Sequence, residues 1–313
     1  MRYAFGRFTY LLFILLAVTF LVSTMLELMP GEPAYIIIGE EADEEQIEAL
    51  NKRLGLDKPV LERYAGWLGN AVTGDLGRSS SGNIPVAQLI RQRLPVTIQL
   101  VIGSQLLALA FAVPSAIYSS YRSGGFVDQA SSAMSFAMIS VPHFVLAVLL
   151  ILIFGVNLGW LPTAGFVPIT ENFANNMRSM VMPTIAVAAG PAGIYQRLLR
   201  SDMTATLRED YIAMAEAKGQ SPTRILLRHA LRPSMFSLMT LVGLTTAAAI
   251  GGSVVVEVIF GLPGIGRLLI NSIERRDVVV LQGVVAFIGV GYVALNGFVD
   301  ILYGVLDPRV RRG

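Results

Sequence analysis

The sequence predicts an all-α integral membrane protein with about six transmembrane helices. Only 15% of the 313 residues are charged and 54% are apolar, whereas a soluble domain carries about 25% charged residues. Six stretches contain no Asp, Glu, Lys or Arg, and each approaches or exceeds the ~20 residues that cross a bilayer core. The six uncharged stretches are residues 8–26, 94–121, 129–170, 179–196, 233–256 and 278–299.

The first stretch, 8–26, is interpreted as a retained helix within an N-terminal segment 1–30. Arg2 and Arg7 would also fit the basic start of a cleaved signal peptide. However, the apolar part is longer than in most signal peptides and ends at Glu27 rather than at a small-residue cleavage site. The third stretch exceeds one span, so we expect residues 129–154 to cross the membrane and the following residues to form a loop.

Basic residues favour a topology with both termini in the cytoplasm. The short outside loops of that topology hold only four basic residues, Arg178, Arg267, Arg275 and Arg276. The long outside segment 31–93 holds more, but long segments translocate largely regardless of charge. We therefore expect a transmembrane helix in 1–30, an external segment 31–93, a transmembrane domain 94–303 and a cytoplasmic tail 304–313.

The external segment is predicted to contain two short helices. Ile47, Leu50 and Leu54 form one apolar face, and Gly55 is suited to end that helix in a left-handed conformation. Val60, Tyr64, Leu68 and Val72 recur at every fourth position, and this spacing predicts the second helix. The acidic run 40–48 is either a solvated face or a contact for a partner.

Several classes of site are absent from the sequence. It has no cysteine and only two histidines, His143 and His229, so neither a thiolate site nor a histidine-rich metal site is expected. No G-x-x-x-x-G-K-[ST] loop is present, so we expect no cofactor and no ATP on this chain. We also predict no catalytic residue and no nucleic-acid partner.

The inside loop 201–233 has the pattern of a helical hairpin. Met203, Leu207, Tyr211 and Met214 have the spacing of one apolar helix face. Gly219 is suited to end this helix with a left-handed backbone. A second helix is then expected over residues 223–231, because Ser221 is a good N-cap and Pro222 suits the first helical position. Pro233 is expected to limit its length.

Arg224, Arg228 and Arg232 are spaced as a basic stripe on the second helix of this hairpin. From the residues alone, three interpretations stay open. The hairpin lies on anionic lipid headgroups, folds back onto its own transmembrane helices, or docks a soluble partner.

Sequence motifs resemble one family of transporters along the whole chain. Residues 210–219 (DYIAMAEAKG) and 225–232 (ILLRHALR) resemble the cytoplasmic EAA loop of binding-protein-dependent ABC importers, and in particular the branch for dipeptides, oligopeptides and nickel. Other resembling motifs lie at residues 28–34, 54–59, 74–77, 158–162, 251–260, 263–266 and 306–309. Their order and their coverage of the chain carry the resemblance.

This resemblance implies a type I ABC importer permease fold (MetI-like) and a set of partners. The permease pairs with a second homologous permease in the membrane of a prokaryotic cell. Two ATP-binding cassette subunits bind ATP and Mg below the membrane, and an external solute-binding protein delivers a short peptide. A nickel or other small-solute importer of the same architecture is the alternative. Alternating access follows from the partners' chemistry.

The resemblance also assigns roles to residues of the hairpin. The residues expected to contact an ATPase subunit are Asp210, Tyr211, Met214, Ala215, Glu216, Ala217, Lys218, Gly219, Arg224 and Arg228. The chain departs from the general EAA pattern at Ala213, where that pattern has Glu. It also has His229 where the pattern has Ile, and Pro233 comes one residue late.

Single residues in the spans have two interpretations each. Gly251 and Gly252 either line the translocation path or allow close helix packing. Glu257 either gates the path, or reaches the membrane interface or pairs with backbone. His143 is either a neutral histidine bonded to a neighbouring backbone group or a functional intramembrane residue. An intramembrane protease using Ser140 and His143, and a secondary transporter, are the alternatives from other classes.

Overall fold

The computed structural model describes residues 2–24, 43–55, 57–80 and 82–306. These residues are helical apart from loops and one isolated bridge between Arg78 and Pro85. The motif at 28–34, part of the acidic run 40–48 and the end of the tail from residue 307 lie outside the described residues. The chain divides into two compact units, one of residues 1–97 and 263–294 and the other of residues 98–262 and 295–313.

The helices are named in chain order. They are α1 (Arg2–Thr24), α2 (Glu44–Leu54), α3 (Val60–Val72), α4 (Val86–Tyr121), α5 (Phe126–Ser140), α6 (His143–Leu150), α7 (Phe173–Thr206), α8 (Asp210–Ala217), α9 (Pro222–Arg224), α10 (Leu231–Ile259), α11 (Ile265–Glu274) and α12 (Val278–Leu306). Two π-helical segments, Ile151–Asn157 and Ile225–Ala230, follow α6 and α9 directly.

The two short helices of the external segment are confirmed. Gly55 ends α2 with φ of 64°, in the left-handed region that glycine adopts without steric cost. Helix α3 contacts α1 through Tyr64, one member of its predicted apolar repeat, whose ring also lies 5.3 Å from the Phe20 ring. The Tyr64 hydroxyl lies 2.8 Å from the Thr19 hydroxyl and donates to the Leu16 carbonyl at 3.0 Å, whereas Val72 is 82% exposed.

A buried carboxylate fastens the loop before α4 to the start of α12. Asp277 accepts hydrogen bonds from the Ser79 hydroxyl at 2.5 Å and from the Ser80 backbone N–H at 3.0 Å. Both ends of this contact belong to the first unit. Helix α4 begins at Val86, ahead of the boundary predicted between residues 93 and 94.

The third uncharged stretch is bent rather than straight, and the crossing of the membrane by residues 129–154 stays a prediction. Helices α5 and α6 meet at an angle of 100° around Val141 and Pro142. Val141 has an extended backbone (φ −87°, ψ 118°), because the residue before a proline is sterically disfavoured in the helical region. Pro142 then supplies the carbonyl that accepts from Leu146 N–H at 3.1 Å and starts α6.

Each of the six uncharged stretches contains helix, and residues 158–170 of the third form the predicted loop. Among the described residues, Val86–Tyr121, Pro222–Ile259 and Val278–Phe298 are long and apolar enough to cross a membrane, and the bent pair is a fourth candidate span. The remaining two stretches lie on α1 and α7. Helix α7 is the centre of the second unit, where Tyr195, Leu199 and Met203 are fully buried and α5, α6 and α10 pack around it. The chain is therefore an all-α integral membrane protein.

Topology can be tested with introduced cysteines, because the chain has none of its own. We expect a membrane-impermeant thiol reagent added outside intact cells to label Thr73→Cys and not Ser123→Cys. Both residues are exposed and lie in segments assigned to opposite sides of the membrane. In inside-out vesicles the pattern should reverse. Labelling of Ser123→Cys from outside intact cells would reject the proposed orientation.

Candidate functional site

The predicted inside hairpin is present, and its turn has the geometry predicted for Gly219. The N–H of Gly219 donates to the Glu216 carbonyl at 2.8 Å, and the N–H of Gln220 donates to the Ala215 carbonyl at 3.2 Å. This bond pair is the Schellman motif, and it requires a left-handed residue, here Gly219 with φ of 73°. A Cβ on Gly219 would meet no described atom within 4 Å, so only the backbone conformation demands glycine.

The second arm of the hairpin starts as predicted. Ser221 is the N-cap residue with an extended backbone, and Pro222 occupies the first turn of α9. The Ser221 carbonyl accepts the first helical bond, from Ile225 N–H at 3.1 Å. No hydrogen bond of the Ser221 side chain to the helix is found among the described atoms.

The predicted apolar face from Met203 to Met214 is wrong, because these residues do not share one helix. Helix α7 ends at Thr206, and the chain turns over Leu207–Glu209 before α8 begins. Met203 is buried in the core around α7, whereas Tyr211 and Met214 are 44% and 59% exposed. The turn bonds Arg208 N–H to Ala205 carbonyl and Glu209 N–H to Thr206 carbonyl, both at 3.1 Å, interrupt the helical register.

The hairpin has its own small core. Ile212 and Ala215 of α8 are buried against Ile225, with Leu207 packed beside them. Ala215 therefore supports the hairpin from within, and its contact with an ATPase subunit stays a prediction. The other residues predicted to contact an ATPase are exposed: Asp210, Tyr211, Met214, Glu216, Ala217, Lys218, Gly219, Arg224 and Arg228.

The prediction that Pro233 limits the second helix is wrong. Helix α9, the π-helical segment Ile225–Ala230 and α10 form one continuous helix, Pro222–Ile259. The Leu231 N–H bonds to the Leu226 carbonyl, five residues back, so the register is wider than α-helical just before the proline. The helix therefore continues through the proline with a π-helical segment directly before it.

Two side chains of the hairpin converge on His229. The Tyr211 hydroxyl donates to the His229 carbonyl at 3.2 Å, and the His229 ring Nε2 lies 2.8 Å from the Gln220 side-chain oxygen. Burial and the nearby Glu209 carboxylate raise the pKa of Tyr211 above its ordinary value. The hydroxyl therefore stays protonated and able to donate at neutral pH. The contact between Gln220 and His229 was not predicted from the sequence. The one signal for it was that His229 stands where the general EAA pattern has Ile.

The residues predicted to line a path lie at the far end of α10. Gly251 and Gly252 are exposed, and a Cβ on either would meet no described atom within 4 Å. Close packing within the described chain therefore does not explain them. Glu257 is fully buried and accepts from the Ser253 hydroxyl at 3.4 Å, and its role stays a prediction.

Buried polar side chains join α7 to the helices around it. The Tyr195 hydroxyl donates to the Gln105 side-chain oxygen at 2.5 Å and also contacts the Thr245 hydroxyl of α10. The next residue, Gln196, bonds the hydroxyls of Ser131 and Ser135 at 2.9 and 2.8 Å. These contacts tie α10 and α5 to α7, because a buried polar group without a partner is costly. They were not predicted, since uncharged polar residues give no signal in a charge-based reading.

A partly buried ion pair lies at the hairpin end of α7 and was also missed. Arg200 of α7 makes a two-pronged contact with the carboxylate of Asp128, which also accepts from Gly124 N–H at 2.8 Å. Asp128 is 3% exposed. The pair fixes the start of α5 to α7, on the same helix end that leads to the hairpin.

His143 and Ser140 do not form a catalytic pair among the described contacts. The Ser140 hydroxyl donates to the Phe136 carbonyl at 2.8 Å. His143 is exposed at the start of α6, beyond the bend, with its ring 6.3 Å from the Phe144 ring. No backbone hydrogen bond of its ring is found in the described part of the chain. Nor do described His, Asp and Glu side chains cluster in threes that could hold a metal ion.

Comparison with known proteins identifies the family. Residues 106–312 match the model "Binding-protein-dependent transport system inner membrane component", and residues 1–101 match its N-terminal companion. A putative peptide transport system permease protein of Brucella abortus (strain 2308) is 39% identical over 95% of both chains. The glutathione transport system permease protein GsiC of Escherichia coli (strain K12) is 36% identical over 99% of both.

A solved structure supports the fold. A chain of the MetNI methionine ABC transporter, in an inward-facing conformation, superposes with a TM-score of 0.55 at 16% identity. The match covers 70% of the present chain and 97% of the MetNI chain. The chain therefore belongs to the family of binding-protein-dependent transport system inner membrane components, the multi-pass permease subunits of ABC importers.

Proposed function

We propose that this chain is the permease subunit of an importer for short peptides in the cell membrane of a prokaryote. It works beside a second homologous permease, above two ATP-binding cassette subunits that carry ATP and Mg, and below an external solute-binding protein. Both termini lie in the cytoplasm. The assignment of a peptide substrate is supported by the near full-length similarity to permeases named for peptides and for glutathione, itself a tripeptide.

The hairpin 201–233 is the proposed contact with an ATP-binding cassette subunit. Tyr211 and Met214 are exposed apolar side chains on α8, and Leu227 on the second arm is 50% exposed. Apolar side chains in water at the end of a helical hairpin suit a cleft on a soluble partner. Asp210, Glu216, Lys218, Arg224 and Arg228 supply the charged rim.

The continuous helix Pro222–Ile259 supports transmission from the hairpin to the proposed path. A rotation of the hairpin is carried along α10, which bears the exposed Gly251 and Gly252 and the buried Glu257. A glycine pair with open space in front leaves room for a substrate backbone to approach. This supports the path assignment over helix packing within the chain. Alternating access then follows from ATP-driven motion of the partners.

The substrate can be tested by growth. We expect a deletion strain without other peptide importers to lose growth on a required amino acid supplied as a di- or tripeptide. Growth on the free amino acid is the control and should persist. Glutathione as sole sulfur source tests the tripeptide arm, and nickel uptake tests the alternative substrate. Loss of nickel uptake with unchanged peptide growth would replace the peptide assignment.

The coupling role of the hairpin can be tested at Gly219. A left-handed backbone costs a non-glycine residue about 1 kcal/mol and a β-branched residue more, which corresponds to about fivefold or more in an equilibrium. We expect Gly219→Val to insert into the membrane normally. The amount of ATPase that copurifies with it and its rate of peptide uptake should each fall at least about fivefold. The measurement is copurification and uptake at matched membrane levels.

Gly74 provides a matched control for the strained turn. It also has a positive φ, 94°, and open space for a Cβ, but it lies in the segment 31–93, outside the hairpin. Gly74→Val should therefore lose much less ATPase, as should Arg224→Ala, which removes one exposed charge. Equal losses in Gly74→Val and Gly219→Val would show that strain, and not the hairpin, causes the defect.

A further inference from the structure

Pro233 creates an opening in the bonding of the continuous helix Pro222–Ile259. In an α-helix, the N–H of residue 233 would bond to the carbonyl of His229, four residues back. Proline has no N–H to donate, so this carbonyl loses its α-helical donor. In the structure it accepts a hydrogen bond from the hydroxyl of Tyr211, on the other arm of the hairpin, at 3.2 Å.

We propose that Tyr211 is a positioning residue whose hydroxyl fastens the first arm of the hairpin to the transmembrane helix at the site left open by Pro233. The proposal deepens, and rests on, the proposed coupling function. Tyr211 acts within this chain, through the His229 carbonyl, in addition to presenting its ring to a partner.

The other contacts of the hairpin indicate what the hydrogen bond from Tyr211 to the His229 carbonyl does. Its apolar core is only Ile212, Ala215 and Ile225, with Leu207 beside them. The turn at Gly219 joins the arms but does not fix the angle between α8 and α10. The second tie, from Gln220 to the His229 ring at 2.8 Å, holds the turn itself to the same residue. The two ties therefore set the direction in which α8 pushes on the helix.

The place of the tie on the helix also matters. The His229 carbonyl lies within the π-helical segment Ile225–Ala230, where the backbone register is wider than in α10. A helix is most easily bent at such a segment. A donor from α8 at this point stiffens the joint between hairpin and span. Without it, motion of α8 is absorbed in the joint instead of reaching α10.

The test is a double-mutant cycle at Tyr211 and Pro233. Tyr211→Phe removes the hydroxyl and keeps the ring, and we expect the peptide moved per ATP hydrolysed to fall about threefold or more. Pro233→Ala gives the helix its own N–H for the His229 carbonyl. In that background, Tyr211→Phe should cause little further loss. The purified importer in liposomes, with its partner chains, supplies both rates.

Tyr121→Phe is the matched control. Tyr121 is 52% exposed at the end of α4, and no hydrogen bond of its hydroxyl is found among the described residues. It should leave peptide moved per ATP unchanged. The proposal is overturned if Tyr211→Phe is as active as wild type. It is also overturned if the loss is the same with and without Pro233, because the hydroxyl would then act on something other than the His229 carbonyl.

A second measurement does not depend on transport. Hydrogen–deuterium exchange of residues 210–217 should be faster in Tyr211→Phe, while exchange in α7 stays as in wild type. The exchange measurement decides the proposal if the importer with Pro233→Ala does not assemble. Unchanged exchange in Tyr211→Phe overturns the proposal. If the wild-type importer moves no peptide, the peptide assignment fails, while the exchange result still decides whether Tyr211 fastens the hairpin.

Discussion

The structure depends on one constraint, that the helix from Pro222 must continue through Pro233 to Ile259. This helix is the direct backbone connection between the exposed hairpin and the glycine pair at 251 and 252. A proline inside a helix removes one hydrogen bond and its ring crowds the preceding turn. The chain accommodates it by a π-helical register before the proline and by a side-chain donor from the neighbouring arm.

The same constraint recurs elsewhere, because a membrane offers no water to a freed backbone group. The Ser234 hydroxyl donates to the Ala230 carbonyl at 2.9 Å, immediately beside the proline. At Pro142 the chain takes the other solution and bends by 100°. The difference follows from surroundings. Val141 before Pro142 is extended, whereas the residues around Pro233 keep helical dihedrals within a shifted register.

The polar side chains of the second unit give this helix a fixed partner. Tyr195 of α7 contacts both Gln105 of α4 and Thr245 of α10, so three helices meet at one hydroxyl. Arg200 holds Asp128 at the hairpin end of α7. These bonds are made between helices, where they have little competition from water. A hairpin that moves α10 therefore moves it against a bundle whose other contacts are specific.

Local features were predictable from the sequence, and features set by tertiary contacts were not. Gly219, Gly55 and the Ser221–Pro222 start were correct because each depends on the conformational freedom of one or two residues. The burial of Ala215 was not predicted, because which side of α8 is buried depends on Ile225, ten residues along the chain. The continuation through Pro233 was missed for the same reason. Its compensation comes from Tyr211, which no periodicity links to residue 229.

We propose that motion of the hairpin reaches residues 251 and 252 through the continuous helix. The most direct measurement is the rate at which a thiol reagent labels Gly252→Cys in the assembled importer, read by mass on this chain. A non-hydrolysable ATP analogue should change that rate when the hairpin is intact and leave it unchanged in the presence of Gly219→Val. An equal ATP-dependent change in both would contradict the account, because position 252 would then respond without the hairpin.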